Sequence, residues 1–114
     1  RRTVMGRQIL EQVRDQLKTC NAVRSDREFC EQWLGKSECY LRTLRCGNLS
    51  PSADAMMTCA SKLHWYAQQL SGSTQSHHVH WADVFERLRI ECVTAVEARA
   101  QHKWRAHMNG STAV

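Results

Sequence analysis

The sequence contains one proline, Pro51, and five glycines in 114 residues. Sandwiches and barrels of many short strands need frequent turn residues, so this scarcity argues against them. No apolar run approaches the roughly 18 residues that a membrane-spanning helix needs. Phosphate-binding loops, the Gly-x-Gly-x-x-Gly pattern and the Gly-x-Ser-x-Gly nucleophile motif are also absent. We therefore expect a protein that is neither an enzyme nor an integral membrane protein, with no cofactor and no resident metal.

The charged residues are numerous but are spread along the chain. Sixteen Lys and Arg oppose eleven Asp and Glu, for a net charge of +5, and twelve of the sixteen cations are arginine. This excess suits an acidic partner, a phosphate backbone or an anionic membrane surface. Arginine favours fixed, bidentate pairs in permanent interfaces. Because no single tract concentrates the cations, nucleic acid is the weaker expectation.

The chain begins with two arginines and no initiator methionine. Such a start fits either a chain from which a targeting segment has been removed or a sequence that begins partway along a longer one. The first residues contain no apolar run of the secretory kind, so a mitochondrial segment is the first expectation.

Apolar periodicity in the first half predicts helices. One stripe recurs at three- and four-residue steps and consists of Ile9, Leu10, Val13, Leu17 and Cys20. Residues 25–28, Ser-Asp-Arg-Glu, match a capping box, which predicts a second helix or a kink in one long helix. Gly35 is expected to end it, because glycine readily adopts positive φ. A short helix from Ser37 to Arg45, closed by Gly47, follows.

The second half predicts two longer helices. Ser50 and Pro51 are typical of a helix start, with serine as the cap and proline in the first turn. Composition and spacing predict a helix over residues 51–70, a polar linker over 71–80 and a last helix over 81–108. The seam of the first of these helices consists of Met56, Cys59, Leu63, Tyr66 and Leu70. The sequence therefore predicts one all-α domain.

Six cysteines in so short a chain need an explanation. All fall on predicted helices: Cys20, Cys30, Cys39, Cys46, Cys59 and Cys92. They could fill the core as thiols, whereas a zinc site or a redox enzyme is disfavoured because no Cys-x-x-Cys occurs. Disulfides in an oxidising compartment are the first expectation. A fold at Gly35 could bring Cys30 to Cys39 and Cys20 to Cys46, although the two spacings differ by about 4–5 Å of helix rise, and sequence does not fix the pairing.

The spacing Cys20-(x9)-Cys30, followed by further helical cysteines, resembles the coiled-coil-helix-coiled-coil-helix (CHCH) family of the mitochondrial intermembrane space. Members are helical hairpins held by two disulfides, and most are small structural subunits or assembly factors. In place of a second Cys-(x9)-Cys, this sequence has Cys39-(x6)-Cys46 and Cys46-(x12)-Cys59. The standard pairing therefore does not transfer directly.

The resemblance covers roughly residues 10–60 and extends to the PDSW-type accessory subunits of respiratory complex I. Residues 14–20, Arg-Asp-Gln-Leu-Lys-Thr-Cys, are similar to the segment that leads into that family's cysteine pair, and residues 48–53, Asn-Leu-Ser-Pro-Ser-Ala, are similar to its later turn. The resemblance implies a disulfide-stapled helical hairpin ahead of the two longer helices. The disulfide candidates are Cys20, Cys30, Cys39, Cys46 and Cys59.

These features predict a structural accessory subunit of a mitochondrial inner-membrane respiratory assembly, complex I-like as the first choice, facing the intermembrane space. Its partners would be other subunits of the complex, with peripheral contact to membrane subunits. An RNA-contacting structural protein of a mitochondrial ribosome is the alternative, and nucleic acid is a partner only in that case. A third possibility is a secreted helical ligand carrier with a cavity lined by Met56, Met57 and Leu63.

Four tryptophans are more than a chain of this size would easily bury alone. Indoles concentrate at protein–protein contacts, and we take Trp33, Trp65 and Trp104 as the candidate partner contacts. The only histidine cluster, residues 77–80, falls in the predicted linker. We interpret it as loop histidines without a metal.

Overall fold

A computed structural model describes the backbone of residues 5–111 and the side chains of residues 6–108. Over these residues the chain is all-helical, which confirms the predicted fold class. The helices are α1 (Met5–Thr19), α2 (Asp26–Trp33), α3 (Tyr40–Gly47), α4 (Ala53–Ser71) and α5 (Ser76–Ser111). Within the described part of the chain, no helix is both long and apolar enough to span a bilayer.

Helices α4 and α5 form an antiparallel hairpin, which is the main packing interface of the molecule. Helix α1 packs on α5, α2 packs on α4, and α3 contacts both α1 and α2. The predicted stripe of α1 is buried: Ile9, Leu10, Val13 and Leu17 all lie in the core. The three short helices therefore cover one side of the hairpin.

Helices α1 and α2 are two separate helices and not one long helix with a kink. Asn21 adopts a left-handed conformation with φ of 64°. The Ser25 hydroxyl accepts from the backbone N–H of Glu28 at 3.1 Å, and the Glu28 carboxylate accepts from the N–H of Arg24 at 2.6 Å. Gly35, with φ of 66°, follows the end of α2 as predicted.

Helix α4 starts later than predicted. Its first residue is Ala53, and the N-cap is Ser52, whose hydroxyl accepts from the N–H of Ala55 at 3.0 Å. Pro51 is buried ahead of the helix and packs against Gly6 of α1, where an added Cβ would lie 3.1 Å from the proline ring. Two serines flank Pro51, and tertiary packing of the proline selects the second one as the cap.

The predicted linker over residues 71–80 is shorter in the structure. Helix α4 continues through Ser71, and α5 already begins at Ser76. The Gln75 carbonyl accepts from the backbone N–H groups of His78 and Val79 at 3.1 and 3.2 Å. Polar residues are as typical of a helix start as of a linker, so composition alone misplaced this boundary. The histidines of residues 77–80 consequently lie on the first turns of α5 and not in a loop.

The predicted disulfide staple is not confirmed. All five candidates are free thiols: Cys20, Cys30, Cys39, Cys46 and Cys59. Because α1 ends at Thr19 and a bend separates it from α2, the first two of these cysteines do not share a helix. Residues 10–60 form most of α1, then α2, α3 and the start of α4. The expected two-helix hairpin is therefore replaced by a layer of three helices on α4–α5.

Candidate functional site

The three candidate tryptophans occupy different environments. Trp33 is only 3% exposed and stacks on Tyr66, with ring centroids 5.5 Å apart. The Lys62 ammonium lies 4.7 Å from the centroid of the Trp33 ring. Trp33 is therefore a core residue and, contrary to the sequence-based expectation, offers no surface to a partner.

Trp65 lies on the outer face of α4 and is 55% exposed. Tyr66 meets it edge to face at a centroid distance of 4.9 Å. Met57, two turns earlier, is also exposed. Met57 and Trp65 line a shallow strip along α4 together with Asp54 and Lys62, whose opposite charges leave the strip without a dominant sign.

Trp104 lies near the end of α5 and is 47% exposed. The position of Arg99 defines where this end begins. Its guanidinium donates to the carbonyl of Pro51 at 2.7 Å, and Pro51 precedes the first residue of α4. Helix α5 therefore continues beyond the start of α4, its main packing partner. At 1.5 Å per residue, Met108 lies about 13 Å past Arg99 along the helix axis.

Residues 99–108, which we call the basic end of α5, have a distinct chemistry. Arg99, Lys103 and Arg105 are accompanied by His102 and His107, and the sequence contains no Asp or Glu after Glu97. Every side chain from residue 102 to residue 108 is exposed. The Arg105 guanidinium lies 5.4 Å from the Trp104 ring centroid, so cation and indole share one surface.

Several charged side chains elsewhere in the molecule form ion pairs within or between its helices. Asp26 at the start of α2 accepts from Lys18 at 2.9 Å and from Arg14 at 3.3 Å, both on α1. The Lys18 hydrogen bond and the charge of Arg14 hold the pKa of the Asp26 carboxyl below its ordinary value. Among side chains 6–108, no ion pair involves Lys103 or Arg105. The basic end therefore presents its charges outward.

A second ion-pair cluster joins α4 to α5. The Glu86 carboxylate accepts from the Nε of Arg89 at 2.8 Å and lies 3.3 Å from the Nδ1 of His64. The Arg89 hydrogen bond, with a smaller contribution from His64, lowers the pKa of Glu86. This cluster lies on the hairpin and links the helices.

Metal-binding geometry is not found among the described side chains, where no three His, Cys, Asp or Glu groups converge. In the cluster over residues 77–80, the His78 ring lies 2.8 Å from the Ser73 hydroxyl. That contact joins the first turn of α5 to the loop that precedes it.

Cys92 is the residue that the sequence-based selection left out. Its side chain neighbours that of Cys59 across the α4–α5 interface, and both residues are fully buried. Apolar seams on two helices joined by a short loop could have indicated this pairing, since both cysteines lie on the seams that face each other.

No curated protein and no solved structure matches this chain. The model of a family of unknown function, DUF6626, matches residues 10–105. The match runs from the first turns of α1 to Arg105 in the basic end, so it includes all five helices in whole or in large part. The chain belongs to the DUF6626 family, whose function is unknown.

Proposed function

We propose that this protein is a non-catalytic helical interaction module that binds an acidic partner protein through the basic end of α5. The observation that supports this proposal is the exposure of Lys103, Trp104 and Arg105 on a helix that extends past the start of α4. Tryptophan and arginine are the residue types that most often dominate the binding energy of protein interfaces.

The proposal rests first on helix stability. Short helical segments without tertiary packing are marginal in water, because most helical stability in proteins comes from packing of one face. Ala100, Trp104 and Met108 recur every fourth residue and lie along one side of the basic end. A partner helix or groove that covers this side would supply the missing packing.

The positive charge of the basic end distinguishes among the partners that could cover it. A second copy of the chain would set Arg99, Lys103 and Arg105 against their own equivalents, which costs energy between like charges. A phosphate backbone would satisfy the cations but leave the side with Trp104 and Met108 uncovered. An acidic amphipathic segment satisfies both features, so we propose that chemistry for the partner.

We further propose that the host of this interaction is a mitochondrial inner-membrane respiratory assembly, complex I-like as the first choice, on the intermembrane-space side. The support for this is the Cys20-(x9)-Cys30 spacing and the CHCH resemblance. Alkylation of the protein taken from its source and unfolded, with and without prior reduction, tests it. Four or more cysteines protected until reduction would support this location, whereas six thiols that react without reduction would contradict it.

The binding proposal is tested by replacing Trp104 with photo-reactive benzoylphenylalanine in the full-length chain and irradiating the cells that make it. We expect a protein crosslink whose partner peptide contains more Asp and Glu than Lys and Arg. The double variant Lys103→Glu/Arg105→Glu should reduce the yield about tenfold or more, because reversed charges repel an acidic partner.

The matched control is Arg24→Glu, an exposed charge reversal on the segment before α2, which should leave the crosslink unchanged. Equal crosslinking by the double variant, or no crosslink at all, would contradict the proposal. Crosslinked material that ribonuclease shortens would replace it with the RNA-contacting alternative.

A further inference from the structure

The thiols of Cys59 and Cys92 form a pair in the centre of the α4–α5 interface. Each residue is 0% exposed, and the two side chains are neighbours across the interface. They lie between buried apolar residues on both helices, which include Met56 and Leu63 on α4 and Leu88 on α5. Neither thiol is needed for the binding surface at the basic end, so the pair has no part in the function proposed above.

We propose that Cys59 and Cys92 are an oxidation site, at which hydrogen peroxide converts two thiols into a disulfide that links α4 to α5. Cys20 and Cys39, by contrast, contact groups other than a second thiol. The Cys20 thiol contacts the Leu17 carbonyl at 3.6 Å, and the Cys39 sulfur accepts from Arg42 at 2.7 Å.

The two thiols shift each other's pKa in opposite directions. The neighbouring Cys92 side chain and burial raise the pKa of the Cys59 thiol well above its ordinary value. The neighbouring Cys59 side chain lowers the pKa of the Cys92 thiol, although burial opposes the shift. In the proposed reaction Cys92 is therefore the sulfur that reacts first with peroxide, as the thiolate.

The reaction balances in two steps. The Cys92 thiolate attacks one peroxide oxygen, the O–O bond breaks, and hydroxide leaves and takes up a proton to become water. The sulfur of Cys59 then attacks the sulfenic sulfur of Cys92, the S–O bond breaks, and the proton of Cys59 leaves with the hydroxyl as a second water. Overall, two thiols lose two electrons and two protons to one peroxide.

The disulfide would close the α4–α5 hairpin covalently. Cross-linking residues this far apart in sequence restricts the unfolded chain, and the expected effect is a rise in Tm of about 10 °C. Peroxide is small enough to reach the interface through local opening of the helices, which proteins undergo continually.

The test uses two variants of the full-length chain. The first keeps only Cys59 and Cys92, with the other four cysteines replaced by alanine. The second, Cys59→Ala/Cys92→Ala, keeps the other four. After incubation of the folded proteins with peroxide, we expect the first variant to lose the mass of two hydrogens, to resist alkylation after unfolding, and to melt at a higher temperature.

The second variant should gain no intramolecular disulfide and no increase in Tm. Peptide mapping of the oxidised wild-type chain should recover Cys59 joined to Cys92. Alkylation of both residues after peroxide treatment and unfolding would overturn the proposal. So would oxidation of Cys92 to a sulfinic acid without a crosslink, or the appearance of disulfides only among the other four cysteines. Peptide mapping uses the wild-type chain. It therefore tests the proposal even if the second variant has a lower Tm before oxidation.

Discussion

The two parts of α5 differ in almost every physical property, although they belong to one 36-residue helix. The part from Trp81 to Ala95 packs into the core and carries buried Phe85, Leu88 and Cys92. The part beyond Arg99 is exposed, cationic and contains Trp104. Both parts are helical, so the difference arises from what lies opposite each part. The comparison separates the residues that hold the fold from those that offer a binding surface.

The largest expected effect comes from truncating one aromatic side chain in each part. Phe85→Ala should lower the free energy of unfolding by about 3–5 kcal/mol, because it leaves a cavity beside α4. Trp104→Ala should change it by less than about 0.5 kcal/mol, because the indole is nearly half exposed and lies beyond the hairpin. Urea unfolding followed by circular dichroism measures both. If the two variants lost equal free energy of unfolding, Trp104 would be part of the core. That result would contradict the distinction between the two parts of α5.

The sequence predicted which residues lie in the core better than it predicted where helices begin and end. The stripe from Ile9 to Leu17, the capping box at Ser25 and the stop at Gly35 were all correct, because each depends on neighbouring residues alone. The start of α4 and the length of the 71–80 linker were wrong, since Ser52 and Ser76 compete with equally suitable residues nearby.

The candidate site was only partly predictable for a related reason. Trp33 and Trp104 occur in similar helical contexts, yet one is buried and the other exposed. Their environments depend on which helix lies opposite, which periodicity does not specify. The uninterrupted pattern of α5 gave no sign that α4 begins beside Arg99. The Cys59–Cys92 contact also depends on how α4 and α5 pair across the loop.

A smaller effect is expected at the end of the hairpin where α4 begins. Ser52→Ala removes the hydroxyl that accepts from the N–H of Ala55, and the loss should be about 1 kcal/mol. Ser61→Ala, on the exposed face of the same helix, is the control and should have an effect near zero. Thermal unfolding of the two variants compares them directly. A loss that is no larger for Ser52→Ala than for Ser61→Ala would show that Ser52 does not cap the helix.

The smallest expected effect is the pH dependence of stability, which should come from the packed part of the molecule. The pKa values of Asp26 and Glu86 are lowered in the folded state by Lys18 and Arg89 respectively, so both carboxyls contribute stability that is complete above their unfolded pKa values of about 4. This contribution should disappear as the pH falls below about 4 and through the depressed folded-state values. Because both groups are partly exposed, salt should weaken the effect.

The variant Asp26→Asn/Glu86→Gln tests the assignment by urea unfolding between neutral and acidic pH. It should be less stable than wild type near neutrality and should lose less stability on acidification. Parallel curves for the two proteins would contradict the role of these ion pairs. The Lys103→Glu/Arg105→Glu variant should follow the wild-type acid profile more closely than this one does, because its altered charges lie outside the packed part of α5. Charge in the body of the protein would then hold the helices together, whereas charge at the basic end would serve the partner.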